Sequence, residues 1–167
     1  IKDNLVANEK GELVFEGDAA VDTTGSKGVG LLLGRNDQTI VNAGKLWVIG
    51  TGNGDGMSNL YNVSATLVNR GTIYVDGANA DNNKGMTVNP GGHAINENTI
   101  VVRNGASAMI DASGDGSKSL INRGTIAVLG DGVGINYRKG VNGDVTVSNE
   151  NSIVVTGAGI GVKIGED

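Results

Sequence analysis

The chain has a single histidine, His93, in Pro90-Gly-Gly-His-Ala-Ile95. A Ser-His-Asp hydrolase would have to pass its proton through that residue, yet no Gly-x-Ser-x-Gly elbow is present to expose a serine nucleophile. The plainer reading makes His93 a turn residue where a strand begins. Cysteine is absent, which removes thiolate catalysis, disulfides and Cys-based metal sites together and is compatible with an extracellular protein. No catalytic residue, metal ligand set or cofactor is expected.

Carboxylates are the other chemical resource. Asp55 in Gly52-Asn-Gly-Asp-Gly, Asp111 and Asp115 in Asp111-Ala-Ser-Gly-Asp-Gly, and Asp131 between two glycines resemble calcium-loop fragments. They lack the nonapeptide spacing that would stack ligands on successive turns, and Gly/Asp turn chemistry accounts for them. The formal net charge of −5 works against attraction to phosphates, so a nucleic-acid partner is not expected.

The elements that would carry any site are set by a repeat. Copies begin at Asn42-Ala-Gly-Lys-Leu-Trp-Val, Asn69-Arg-Gly-Thr-Ile-Tyr-Val, Asn96-Glu-Asn-Thr-Ile-Val-Val, Asn122-Arg-Gly-Thr-Ile-Ala-Val and Asn149-Glu-Asn-Ser-Ile-Val-Val. An earlier copy is placed at Glu9-Lys-Gly-Glu-Leu-Val-Phe, so the starts fall near 9, 42, 69, 96, 122 and 149. A period of this size marks a solenoid, whose units leave apolar surface open until a neighbour stacks on them. With 29 glycines and one proline the chain could be disordered, but disorder gives no reason for Ile, Leu and Val to stay in register.

After each Asn the apolar residues alternate, as at Leu46/Val48, Ile73/Val75, Ile100/Val102, Ile126/Val128 and Ile153/Val155, with Leu13/Phe15 in the first copy. Alternation at period two, rich in β-branched residues, predicts a strand with one face inward. A second apolar segment follows (Val29-Gly-Leu-Leu, Met57, Met86-Thr-Val, Met109-Ile, Ile135, Ile160-Gly-Val). A third precedes the next Asn (Ile40-Val41, Leu67-Val68, Ala94-Ile95, Leu120-Ile121, Val147-Ser148).

No helical period intervenes. The expected fold is therefore all-β: a right-handed parallel β-helix with three short strands per coil of about 27 residues, residues 1–167 forming one stretch of it. Asn42, Asn69, Asn96, Asn122 and Asn149 share one corner, where stacked amides can form a hydrogen-bonded ladder. Gly44, Gly71 and Gly124, two places later, are expected to take positive φ. Asp76–Gly85, where copies differ in length, is expected to be a surface loop.

Stacking the copies turns sequence offsets into surface rows. The position before the first inward residue reads Glu12, Lys45, Thr72, Thr99, Thr125, Ser152, and the one after the second reads Glu16, Ile49, Asp76, Arg103, Leu129, Thr156. Neither sets two acids on neighbouring coils, as the carboxylate pair of a glycosidase or the calcium cluster of a lyase would need. The row between reads Val14, Trp47, Tyr74, Val101, Ala127, Val154. It is apolar throughout, where a solvated sheet face should be polar. Trp47, Tyr74 and Val101 are the candidate binding residues; self-stacking and cover by another element are the structural alternatives.

Asn-x-Gly-Thr-Ile-x-Val, followed by a Gly-(Met/Ile) segment and a closing (Leu/Ile)-(Ile/Val)-Asn, resembles the passenger domains of Gram-negative type V autotransporters. The similarity is to large adhesin-type passengers such as those of fusobacteria and spans residues 9–164. It implies a fragment of a longer passenger, secreted and displayed on the cell surface, with membrane attachment only through a C-terminal β-barrel outside this sequence. It also implies adhesion: contact with a host or bacterial surface protein or glycan, or self-association. A structural stalk spacing a distal functional domain is the alternative, and a carbohydrate-active β-helix or tailspike piece a further one.

Overall fold

The computed structural model describes residues 5–77, 82–112, 114–138 and 142–165. Among these there is no helix; the strands form three sheets of seven, six and six members. Sheet I holds Leu13–Phe15, Gln38–Asn42, Ala65–Asn69, Gly92–Asn96, Lys118–Asn122 and Val145–Asn149 in parallel, with Leu5–Ala7 antiparallel at its N-terminal edge. Sheet II stacks Asp18–Asp22, Lys45–Ile49, Thr72–Asp76, Thr99–Arg103, Thr125–Leu129 and Ser152–Thr156. Sheet III stacks Lys27–Leu33, Asn53–Asn59, Asn83–Val88, Ser107–Asp111, Val133–Tyr137 and Ile160–Ile164. The chain visits II, III and I in turn and then climbs one coil, giving the expected parallel β-helix.

The apolar period places the core. Leu46, Ile73, Ile100 and Ile126 lie one above another in sheet II and are fully buried, as are Met57, Met86, Met109 and Ile135 in sheet III and Ile40, Leu67, Ala94 and Leu120 in sheet I. Each coil is covered by its neighbours: Ile126 is completely buried, whereas Ile153, stacked on it in the last coil, is only half-buried. Burying one such side chain contributes about 1.5–3 kcal/mol, so stability is shared between coils rather than held within one.

The Asn corner forms the expected ladder. Asn42 Nδ2 donates to Asn69 Oδ1, Asn69 to Asn96, Asn96 to Asn122 and Asn122 to Asn149, at 2.8, 2.8, 2.8 and 2.7 Å. The same amides donate to Thr72, Thr99, Thr125 and Ser152 carbonyls one coil on. A buried amide in hydrocarbon costs free energy unless paired, and this one-coil offset pairs every rung between two strands.

The first coil departs from expectation. Asp18–Asp22 pairs with Lys45–Ile49, Ala20 facing Trp47 and Val21 facing Val48, while Leu13–Phe15 pairs with Ile40–Asn42 in sheet I. The copy assigned to Glu9 is therefore displaced: its spacing to Asn42 is not 33 residues, because Phe15 itself occupies the ladder corner, 27 residues before Asn42. Leu13 and Phe15 match the period-two pattern, but period two alone does not distinguish one sheet of the coil from another. The surface rows start accordingly at Asp18, Ala20 and Asp22, not at Glu12, Val14 and Glu16.

Gly44, Gly71 and Gly124 are required for space, not for handedness, since none has a positive φ. A Cβ on Gly71 would stand 2.0 Å from Gly44 O, and one on Gly124 2.0 Å from Asn98 O. Both amides sit over the Asn carbonyl below: the Arg70 and Gly71 N–H groups donate to Asn42 O, and Arg123 and Gly124 to Asn96 O. In the alternate copies the Asn98 and Asn151 side chains donate to the Arg70 and Arg123 carbonyls. The Arg-Gly and Glu-Asn copies alternate, so Arg70 pairs with Glu97 at 2.9 Å and Arg123 with Glu150 at 2.8 Å.

Candidate functional site

Sheet II presents three outward columns. One is Asp18, Lys45, Thr72, Thr99, Thr125, Ser152; the next is Ala20, Trp47, Tyr74, Val101, Ala127, Val154; the third is Asp22, Ile49, Asp76, Arg103, Leu129, Thr156. No two acids are adjacent in any of them.

Alternation with the buried Leu46/Val48 and Ile73/Val75 pairs forces Trp47 and Tyr74 outward, and the parallel register sets them on neighbouring coils. Their rings stack, centroids 5.6 Å apart and planes within 13°, an arrangement contributing about 0.5–1.5 kcal/mol beyond burial. Self-stacking thus occurs, and it covers only one face of each ring. Tyr74 is 37 % exposed.

Beside the rings lies a hollow of about 240 Å3 lined by Trp47, Ile49, Tyr74, Asp76, Val101 and Arg103, together with Val75. It runs between the aromatic column and the Ile49–Asp76–Arg103 column across three coils. Tyr74 outreaches Val101, its neighbour one coil on, and so presents its second face as a shelf above a shorter side chain. Asp76 is oriented by Asn104, whose Nδ2 donates to Asp76 Oδ1 at 2.6 Å. Asn104 can make that contact because its φ of 52° turns the chain at the end of its strand, a conformation Asn tolerates better than most residues. Arg103 is exposed, and among the described residues neither its guanidinium nor the Trp47 indole N–H nor the Tyr74 hydroxyl has a hydrogen-bonding partner.

Trp47, Tyr74 and Val101 are thus brought together as the rows predict. Ile49, Asp76 and Arg103 complete the hollow; they were visible as a row, but one that signals nothing when searched only for paired acids.

The other candidates resolve structurally. His93 Nδ1 lies 2.8 Å from Ser119 Oγ on the next coil of sheet I, a contact between residues 26 apart that no local motif announces. The two belong to a polar column Thr39, Thr66, His93, Ser119, Thr146. The flanking strands are paired on both sides, so their amides are committed to the parallel ladder, and among the described residues no carboxylate bonds the imidazole. A Ser-His pair without an orienting acid or an oxyanion hole lacks the parts acyl transfer needs.

Asp55 is not in a loop. It lies within the strand Asn53–Asn59, accepts from Thr87 Oγ1 at 2.6 Å and stands 3.5 Å from Lys84 Nζ. The stretch expected to loop out is also shorter than predicted. Asn83 opens the strand Asn83–Val88, is fully buried, and donates to Gly50 O and Asp76 O; residues 78–81 lie outside the described set. Asp111 is buried with Lys118 at 3.5 Å, receives the Arg138 amide, and burial lifts its carboxyl above the usual range despite those partners. No group of three or more metal-ligating side chains occurs among the described residues.

Comparison with known proteins gives no matching family model, no similar curated protein and no similar solved structure, so the reading of function rests on the surface just described.

Proposed function

We propose that this chain is a non-catalytic interaction segment of a bacterial cell-surface rod, a piece of an autotransporter-type passenger that contacts a host or bacterial surface through sheet II. The observation that carries this reading is the Trp47–Tyr74 column: large aromatic side chains standing outward on a sheet face, with an open hollow beside them and, among the described residues, no element laid over them. The Asn ladder, the apolar stack and the ion pairs are all explained by holding coils together. The aromatic column is explained by it only in part, because small side chains occupy the same positions on other coils, as Ala20 and Ala127 do, and the stack leaves one face of Tyr74 open. Secretion, surface display and attachment through a β-barrel elsewhere in the parent protein belong to the same proposal and rest on the resemblance of the repeat.

The test is cell or bead binding by the purified chain, comparing the native sequence with a Trp47→Ser/Tyr74→Ser double variant. Loss of binding, with stability lowered by no more than the lost stack, about 1 kcal/mol, supports the reading. Unchanged binding refutes a role for sheet II and leaves the stalk reading, under which deletion of whole 27-residue coils from the parent shortens reach without abolishing adhesion.

A further inference from the structure

We infer that the hollow on sheet II binds a neutral glycan, one pyranose ring seated on the free face of Tyr74. This rests on the interaction reading above and names the chemistry of its partner.

Shape is the first ground. The hollow, at about 240 Å3, falls below the roughly 300–1,000 Å3 of pockets that enclose whole small molecules. It is bounded on one side by aromatic rings and on the other by a column of mixed character. Such a site holds one ring at a time.

Chemistry is the second. A pyranose has an apolar C–H face and a rim of hydroxyls, each a donor and an acceptor. Tyr74 supplies a flat π-face, held level by Trp47 stacked beneath it. Asp76 has one carboxylate oxygen engaged by Asn104 and the other oxygen without a bond to the described residues. Arg103, one coil higher in the same column, supplies a planar set of donors. A carboxylate accepting from one hydroxyl pair and a guanidinium donating to another satisfy the rim that the aromatic face leaves exposed.

Charge decides against the nearest alternatives. Asp76 and Arg103 make the wall neutral, and the chain as a whole carries −5. A sialylated or sulfated glycan therefore gains one cation at the cost of a carboxylate beside it and like charge around it. A peptide adding as a strand needs a free sheet edge, and sheet II offers only its face here. An apolar side chain docked against Tyr74 would strip water from Asp76 and Arg103 without replacing their hydrogen bonds.

Trp47, the only tryptophan, reports directly on the site. The experiment titrates the native chain with neutral β-linked hexose tetrasaccharides and with sialylated and sulfated counterparts, following Trp47 emission and, in parallel, a printed glycan array. The expected result is saturable millimolar binding to neutral chains and at least fivefold weaker binding to the anionic ones. Tyr74→Ser should lose at least tenfold, Tyr74→Phe should stay within threefold, and Asp76→Asn and Arg103→Met should each weaken binding severalfold while the unfolding midpoint stays fixed.

Saturation by anionic glycans only, or no response to any saccharide, overturns the inference. So does an emission change that follows protein concentration without sugar and disappears in Tyr74→Ser, which would mark a surface for a second copy. The broader reading fails separately. If cell binding is lost in the double variant but survives glycosidase treatment of the cells, sheet II is adhesive and its partner is not a glycan. If the saccharide titration succeeds and cell binding ignores both substitutions, the site binds sugar and adhesion lies elsewhere.

Discussion

Phe15 lies directly beneath Asn42 in the sheet I register, and the Ala43 amide donates to its carbonyl at 2.7 Å, as the Arg70 amide does to Asn42 one coil higher. The backbone corner is thus the same in both coils while the side chain changes from an amide to a ring. The ladder consequently has a foot: Asn42 Oδ1 receives the Gly44 N–H at 3.3 Å where higher rungs receive an amide from below.

A middle rung should therefore matter more than its size implies. Asn96→Ala removes the acceptor of Asn69 and the donor to Asn122, both fully buried. Stranding those groups costs about 1–3 kcal/mol each, so the expected loss is about 3–4 kcal/mol in urea unfolding. A loss below about 1 kcal/mol would show that water or the Thr99 carbonyl replaces the rung.

Glycine at the corner is a spacing requirement, and two alanine substitutions separate spacing from backbone handedness. Gly71→Ala puts a methyl 2.0 Å from Gly44 O at negative φ, whereas Gly130→Ala meets no atom within 4 Å but sits at φ +87. The second should cost about 1–2 kcal/mol of left-handed strain. The first must push two coils apart and should cost more, lowering the thermal midpoint further.

Arg70 ties three parts of the chain together. Its guanidinium donates to both Glu12 oxygens, at 3.0 and 3.2 Å, and through Nε to Glu97. Arg70→Gln should release the N-terminal strand Leu5–Ala7, seen as faster amide exchange there. The global cost should be only about 1 kcal/mol and shrink with added salt, because the network is partly exposed.

Acid stability should show two opposed contributions. The Arg70 and Asn8 hydrogen bonds hold Glu12 below its ordinary 4.5, so its contribution is present above that value and is lost as pH falls through the lower folded value. Burial holds Asp111 above 3.8, its Arg138 and Lys118 contacts offsetting this only in part. Between 3.8 and its folded value the folded chain keeps a proton the unfolded chain has lost, so stability declines as pH rises through that window and is flat above it. Asp111→Asn should remove that decline from a pH series of urea midpoints. Persistence of the slope would place its origin in another group.

Trp47 emission reports the stack itself. Tyr74→Ser uncovers one indole face, so the emission should shift to the red with little change in the unfolding midpoint, the stack contributing about 1 kcal/mol. An unshifted spectrum would mean the two rings are not in contact in solution.

The repeat alone determined the coil, its three strands, the inward Ile, Leu, Val and Met columns and the Asn corner, because all of these follow from the side-chain period of a strand and the return of one motif every 26 or 27 residues. It also determined that Trp47, Tyr74 and Val101 share an outward column. Three matters were decided only in three dimensions. Leu13–Phe15 carries the right alternation but pairs in sheet I, since alternation is the same in every sheet and only stacking against Gln38–Asn42 selects one. The corner glycines needed close backbone approach, a relation between residues 27 apart that no local torsional preference expresses. The hollow needed the difference in reach between Tyr74 and Val101 and the Asn104 contact that turns Asp76 toward it. Those features arise where separate coils meet, and a linear pattern fixes which residues meet there without fixing the space left between them.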